Sequence, residues 1–151
     1  MRRKKNSNQS GQSLVEFALS ILFVLFLIFA VIELTVFIYT YNVLADGAKE
    51  GVRYAIVHGT GVGAGSCSGP GGGGVSCTDS TGANIQGIVS RYTTLSLHDS
   101  SAMTVSPTYP DSSSVAPNRV RVTVSFAYQP IFGFGWPSVT VRAAAEGRIA
   151  F

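Results

Sequence analysis

Sixteen consecutive residues, Phe17 to Ile32, carry no charge and are mostly Leu, Ile, Val and Phe. Crossing a hydrocarbon core takes about 20 residues of helix, so the run alone is slightly short. After Glu33 the apolar pattern resumes with Leu34, Val36, Phe37, Ile38 and Tyr39. A helix from Leu14 to Tyr41 would measure about 42 Å, longer than the core of roughly 30 Å. Its apolar side chains lie on every face, which a small domain has no means of burying. The stretch therefore reads as a transmembrane helix. Glu16 and Glu33 then lie about 25 Å apart along the axis, one near each interface. Tyr39 and Tyr41 fall at the far interface, where aromatic belts form.

The formal charge of +3 suggests an anionic partner until its distribution is considered. Arg2, Arg3, Lys4 and Lys5 supply four positive charges; from Gln12 onward seven basic residues face eight acidic ones, a balance of −1. No element carries a basic stripe, so nucleic acid is not an expected partner. Basic residues just before a span favour a cytoplasmic N-terminus and an extracytoplasmic C-terminal part. A cleaved secretory signal would have a shorter apolar region followed by an A-x-A-like site, and neither feature is present.

The order of features is a basic leader, Gly11, Gln12-Ser13-Leu14-Val15, Glu16-Phe17 and then the apolar run. This order resembles a type IV prepilin signal of the Flp (Tad) subclass. Further on, "GAKEGVRYA", Gly47 to Ala55, is similar to the run that TadE-like pilus assembly proteins carry where the helix leaves the membrane. The resemblance covers residues 10–57 and extends only loosely beyond them. Many relatives have an early proline where this chain reads Leu19-Ser20-Ile21. The resemblance implies cleavage by a prepilin peptidase between Gly11 and Gln12, which makes Glu16 the fifth mature residue. It also implies partnership with other pilins or pseudopilins and with the Tad assembly platform. The bottom-up reading of Glu16 is compatible: a carboxylate at mid-bilayer costs roughly 2.5–3.5 kcal/mol. A new amine one helical turn earlier would pair with it.

Past the span, Leu44, Ala48, Val52 and Ala55 fall on one face, with Asp46, Lys49, Glu50 and Arg53 as polar neighbours. This is an amphipathic continuation of the same helix. Gly47 and Gly51, four apart, would admit a closely packed backbone from the chain's own sheet or a neighbouring helix.

Ten of the seventeen glycines lie between Gly59 and Gly82. The stretch has no periodicity and reads as an exposed, mobile loop over residues 58–83. Its "GVGAG" lacks the G-K-[ST] of a phosphate loop. Cys67 and Cys77 have nine residues between them and face an oxidising compartment on this topology, so a disulfide is expected. Closing such a loop is worth on the order of 3 kcal/mol. A metal site would need more than His58 and His98, and no ligand spacing supports one.

Residues 84–151 read as an α+β head. A helix is expected over Asn84 to Leu97, capped by Asp79, Ser80 or Thr81. Strands follow at Met103 to Ser106, at Arg119 to Tyr128 and at Ser138 to Ile149. The second alternates strongly, with Val120, Val122, Val124, Phe126 and Tyr128 on one face. "QPIFGFGWP" joins the last two as a hairpin whose Ile131, Phe132, Phe134 and Trp136 either plug the turn or form a contact site.

The fold class is α+β: a leader at 1–11, a long helix at 12–57 spanning the membrane over about 14–41, and a small pilin-like head with an antiparallel sheet and a glycine-rich disulfide loop. The expected function is that of a single-pass inner-membrane pseudopilin in Flp/Tad pilus assembly. It is not an enzyme and needs no cofactor. The alternative is a single-pass membrane protein whose outer domain binds a partner unrelated to pili.

Overall fold

Proline-free from Asn8 to Val57, the chain runs through one α-helix, α1 (Asn8–Val57). The computed structural model describes residues 8–60, 66–72, 78–97, 100–132 and 137–150, with side chains from residue 11. After α1 come α2 (Ala83–Thr94) and strands β1 (Met103–Thr108), β2 (Arg119–Tyr128) and β3 (Val139–Arg148). The helix begins four residues before the expected position 12, so the end of the basic leader is itself helical.

The chain divides into two compact units, residues 1–36 and 37–151. In the first, fifteen large apolar side chains from Leu14 to Leu34 are exposed. This helix is long and apolar enough to cross a membrane, whose hydrocarbon would remove that surface from water. Ser20 Oγ donates to the Glu16 carbonyl at 2.8 Å and Thr35 Oγ1 to the Val31 carbonyl at 2.9 Å. Each hydroxyl is thus satisfied on its own helix, as an apolar medium requires.

In the second unit α1 buries the stripe Thr40, Val43, Leu44, Gly47, Ala48, Gly51, Val52 and Ala55. The opposite face carries the ion pairs Asp46–Lys49 at 2.9 Å and Glu50–Arg53 at 3.2 Å, both one turn apart in water. The sheet is antiparallel in the order β1-β2-β3, with Val124 of β2 between Val105 and Ala143. Val120, Val122, Val124 and Tyr128 are buried and Phe126 is half-buried, so the alternation of β2 selects the face that joins the core.

Three glycines set how closely α1 approaches its neighbours. A methyl group on Gly51 would fall 2.7 Å from Val89 of α2 and 3.2 Å from Val122 of β2. One on Gly47 would fall 2.9 Å from Thr93. One on Gly147 of β3 would meet Val52 and Ile56 of α1 at 2.7 Å. Gly47 therefore faces α2, and Gly51 faces both α2 and the sheet, all of this chain.

Of the exposed loop expected over residues 58–83, residues 61–65 and 73–77 lie outside the described residues, and part of the remainder is packed against the head. Cys67, Ser68, Gly69 and Gly71 are buried. Ser68 N donates to the His58 carbonyl at 2.6 Å, Tyr54 Oη to the Ser66 carbonyl at 2.7 Å and Asn84 Nδ2 to the Cys67 carbonyl at 2.8 Å. Gly71 N donates to Ser114 Oγ at 2.9 Å, and its carbonyl accepts from Ser114 N at 3.1 Å. Without side chains the backbone lies flat against other elements; the Tyr109 ring occupies the space a Cβ on Gly69 would need. The head thus begins at residue 37 and includes this segment. Cys77 lies outside the described residues, and the expected Cys67–Cys77 bond with it.

At the start of α2 one of the expected residues, Asp79, supplies the capping hydrogen bonds, although it does not hold the N-cap position itself. Gly82 occupies the N-cap position at φ 69°, a left-handed conformation, with the Pro107 ring in place of any side chain. Asp79 caps from three residues upstream, accepting from Ala83 N at 3.0 Å and Asn84 N at 2.9 Å. Its charge also suits the positive end of the helix dipole.

The sheet edge is tied by ions. Asp111 accepts from Arg119 Nε at 3.2 Å and Nη2 at 2.9 Å, and Glu146 meets Arg121 at 2.7 Å and Arg119 at 3.8 Å. Hydrogen bonds from the Arg119 side chain and backbone pull the Asp111 carboxyl down to about 2.

Two outcomes follow from this packing. Gly51→Val should destabilise the head by about 1–3 kcal/mol through overpacking. Gly87→Ala, where a Cβ meets nothing within 4 Å, should stabilise it by up to about 1 kcal/mol. Thermal unfolding in detergent decides both, and equal effects of the two would refute the close-packing account. Asp111 has a lowered folded pKa, so its contribution is complete above its unfolded value and is lost as pH falls towards about 2. Unfolding midpoints followed downward from about pH 5 should drop less in Asp111→Asn than in wild type over that window.

Candidate functional site

The first turns of α1 carry its only cluster of polar side chains before Glu33. At about 100° per residue, Gln12, Ser13, Glu16 and Ser20 fall within an arc of about 100°. The twelve residues from Ile21 to Ile32 then offer no polar side chain at all. The result is a short polar stripe at one end of an otherwise apolar cylinder.

Within it, Ser20 is committed to the Glu16 carbonyl. The Glu16 side chain is exposed, with Gln12 and Ser13 one turn before it. Phe17 is exposed beside it, about 100° further round the helix. Ser20 was not singled out by sequence reasoning; its spacing of four from Glu16 was the available signal.

Gly11 is exposed, and a Cβ there would meet nothing within 4 Å. Packing therefore supplies no reason for glycine at this position, in contrast to Gly47 and Gly51. Glu33, at the other end of the apolar run, is half-buried.

The remaining candidates are dispersed. The His58 ring stacks on Tyr54 with centroids 4.0 Å apart, and its Nδ1 lies 2.9 Å from the Tyr54 carbonyl oxygen. Cys67 is buried under α2, while Cys77, His98, Phe134 and Trp136 lie outside the described residues. Ile131 is exposed and Phe132 half-buried. Among the described residues no three His, Cys, Asp or Glu side chains gather as metal ligands. What the polar stripe presents is one exposed carboxylate, Glu16, on an otherwise apolar surface.

No curated protein and no solved structure matches the chain. Residues 11–53 match the family model of the TadE-like proteins. That match starts at Gly11, takes in the polar stripe and the whole apolar run, and ends just past Gly51. The helix it covers is long and apolar enough to cross a membrane. Over residues 11–53, and over those residues alone, the chain is therefore similar to the TadE-like proteins.

Proposed function

We propose that this protein is a membrane-anchored pseudopilin that takes part in assembling a Tad-type pilus, as a structural subunit and not as a catalyst. The observation that carries the reading is the polar stripe, with Glu16 exposed one turn after Gln12 and Gly11 unconstrained by packing. A glycine that the fold does not need is suited to a requirement from outside the chain, here the recognition pocket of a prepilin peptidase.

Hydrolysis of the Gly11–Gln12 peptide bond adds one water, leaving a carboxylate on Gly11 and an amine on Gln12. The bond lies close to the start of α1, where unwinding into a protease breaks few helical hydrogen bonds. The new α-amine, with an ordinary pKa of about 8, is largely protonated at neutral pH. It stands one turn from Glu16 and pairs with it, in the same subunit or a staggered neighbour, which offsets the cost of a carboxylate in hydrocarbon. Phe17 adds an apolar contact beside that pair. The partners on this reading are the membrane, the prepilin peptidase, other pilins or pseudopilins and the Tad assembly platform.

The basic residues Arg2 to Lys5 support a cytoplasmic N-terminus at the inner membrane and an extracytoplasmic head. In that compartment Cys67 and Cys77 form a disulfide that closes the glycine-rich segment.

In cells with an active prepilin peptidase, intact mass should show a mature chain starting at Gln12, and Gly11→Val should retain the leader. Glu16→Ala should still insert and be cut, yet lose crosslinking to other pilins, with Glu16→Asp intermediate. Wild-type crosslinking in Glu16→Ala would remove the pairing role, and an uncut native chain would remove the pseudopilin reading. For the topology, a periplasm-dependent reporter fused after Phe151 should be active. Both cysteines should resist thiol labelling in denatured, unreduced protein; labelling of both would refute the disulfide.

A further inference from the structure

The head is not uniform from end to end. Two contacts mark the end that holds residues 37–39 of α1. Tyr39 Oη donates to the Ser96 carbonyl at 3.1 Å, and the rings of Phe37 and Tyr128 meet edge to face with centroids 5.4 Å apart. The C-terminus of α2, the end of β2 and the start of β3 therefore stand level with residues 37–39 of α1. At the opposite end, Ala150 N donates to the Ile56 carbonyl at 3.0 Å. β2 accordingly runs antiparallel to α1 over the length of the head.

Charge and apolar surface are divided between these ends. Asp111, Arg119, Arg121, Glu146 and Arg148 belong to the far end of the strands. At the near end, described residues 95–97, 100–103, 128–132 and 137–139 carry no charged side chain; His98 and Asp99 lie outside the description. Three large apolar side chains are open there: Leu95 at 87% exposure, Ile131 at 61% and Val139 at 50%. Tyr39 and Tyr41 of α1 are exposed at the same level. Exposed Arg91 lies one turn before Leu95, and exposed Arg142 lies three residues into β3 from Val139. At the level of Arg91, α1 carries the Asp46–Lys49 pair, which leaves Arg91 and Arg142 as the net charge behind the rim. An apolar and aromatic rim backed by net positive charge is the profile of a surface that meets hydrocarbon first and lipid phosphates next.

We infer that this end of the head rests in the headgroup region of the bilayer, with Leu95, Ile131 and Val139 dipping to the acyl boundary and Arg91 and Arg142 at the phosphates. The inference rests on the reading of α1 as membrane-spanning, since that places residues 37–41 at the interface. The head is then a second, shallow anchor whose release would have to accompany any departure of the subunit from the membrane.

The test uses the full chain in vesicles of phosphatidylethanolamine and phosphatidylglycerol containing lipids brominated near the headgroup. Trp136 is the chain's one tryptophan, so a Trp136→Phe background isolates a single introduced reporter. Leu95→Trp and Ile131→Trp should emit at blue-shifted wavelengths and be quenched several-fold more than Thr108→Trp, which lies at the far end of β1 on an exposed position. Leu95→Trp and Ile131→Trp emission as red and unquenched as that of Thr108→Trp, in protein that resists alkaline carbonate extraction, would overturn the docking while leaving the span intact. Equal quenching at Thr108→Trp would overturn it as well. Release of the protein by carbonate would overturn the spanning helix and the docking together.

Discussion

The head is organised by the near-contact of α1 with α2 and the sheet. Valine and isoleucine side chains from α2, β2 and α1 itself occupy the places where Gly47, Gly51 and Gly147 have no Cβ. A glycine inside a helix costs up to about 1 kcal/mol against alanine, and α1 carries two of them in its head portion. The cost is offset because the helix can then lie low on its neighbours, burying Leu44, Ala48 and Ala55 completely. Protein interiors lose dispersion energy steeply with fractions of an ångström of separation, so the closer approach strengthens every contact along the seam. The same helix that is apolar on all faces before residue 36 is one-sided after it, and the glycines lie on the buried side.

The glycine-rich segment applies the same physics to a strand of irregular backbone. Polar main chain can be buried only where its N–H and C=O groups find partners. Residues 66–72 find them in the end of α1, the start of α2 and the serines at 113 and 114. Absence of side chains allows three elements to close on the segment at once. Asp79, at the exit of this segment, then caps α2 with both carboxylate oxygens. The segment thus links the helices while contributing only the Cys67 and Ser68 side chains to the buried interior.

On the membrane side, the chain concentrates polarity where it has chemical use. The polar stripe from Gln12 to Ser20 precedes twelve residues without a polar side chain, and the hydroxyl of Ser20 is satisfied locally. Glu16 is the residue in that stripe that carries a charge, and its side chain is exposed.

By itself the sequence determined the long helix, its apolar run and its amphipathic continuation, because periodicity and the absence of proline act locally. It also determined β2 to the residue: period-two alternation from Arg119 to Tyr128 leaves one register that buries the valines. The candidate site was legible for the same reason, since Gly11, Gln12 and Glu16 are neighbours on one helix. Tertiary structure alone decided what Gly47 and Gly51 face, because the residues they meet, Ile85, Val89, Thr93 and Val122, lie more than thirty positions away. It also decided that Cys67, Ser68, Gly69 and Gly71 of the glycine-rich segment are buried. Low side-chain content predicts freedom only when no other element approaches, and here Tyr109, Ser114 and Asn84 arrive from elsewhere in the chain to remove it.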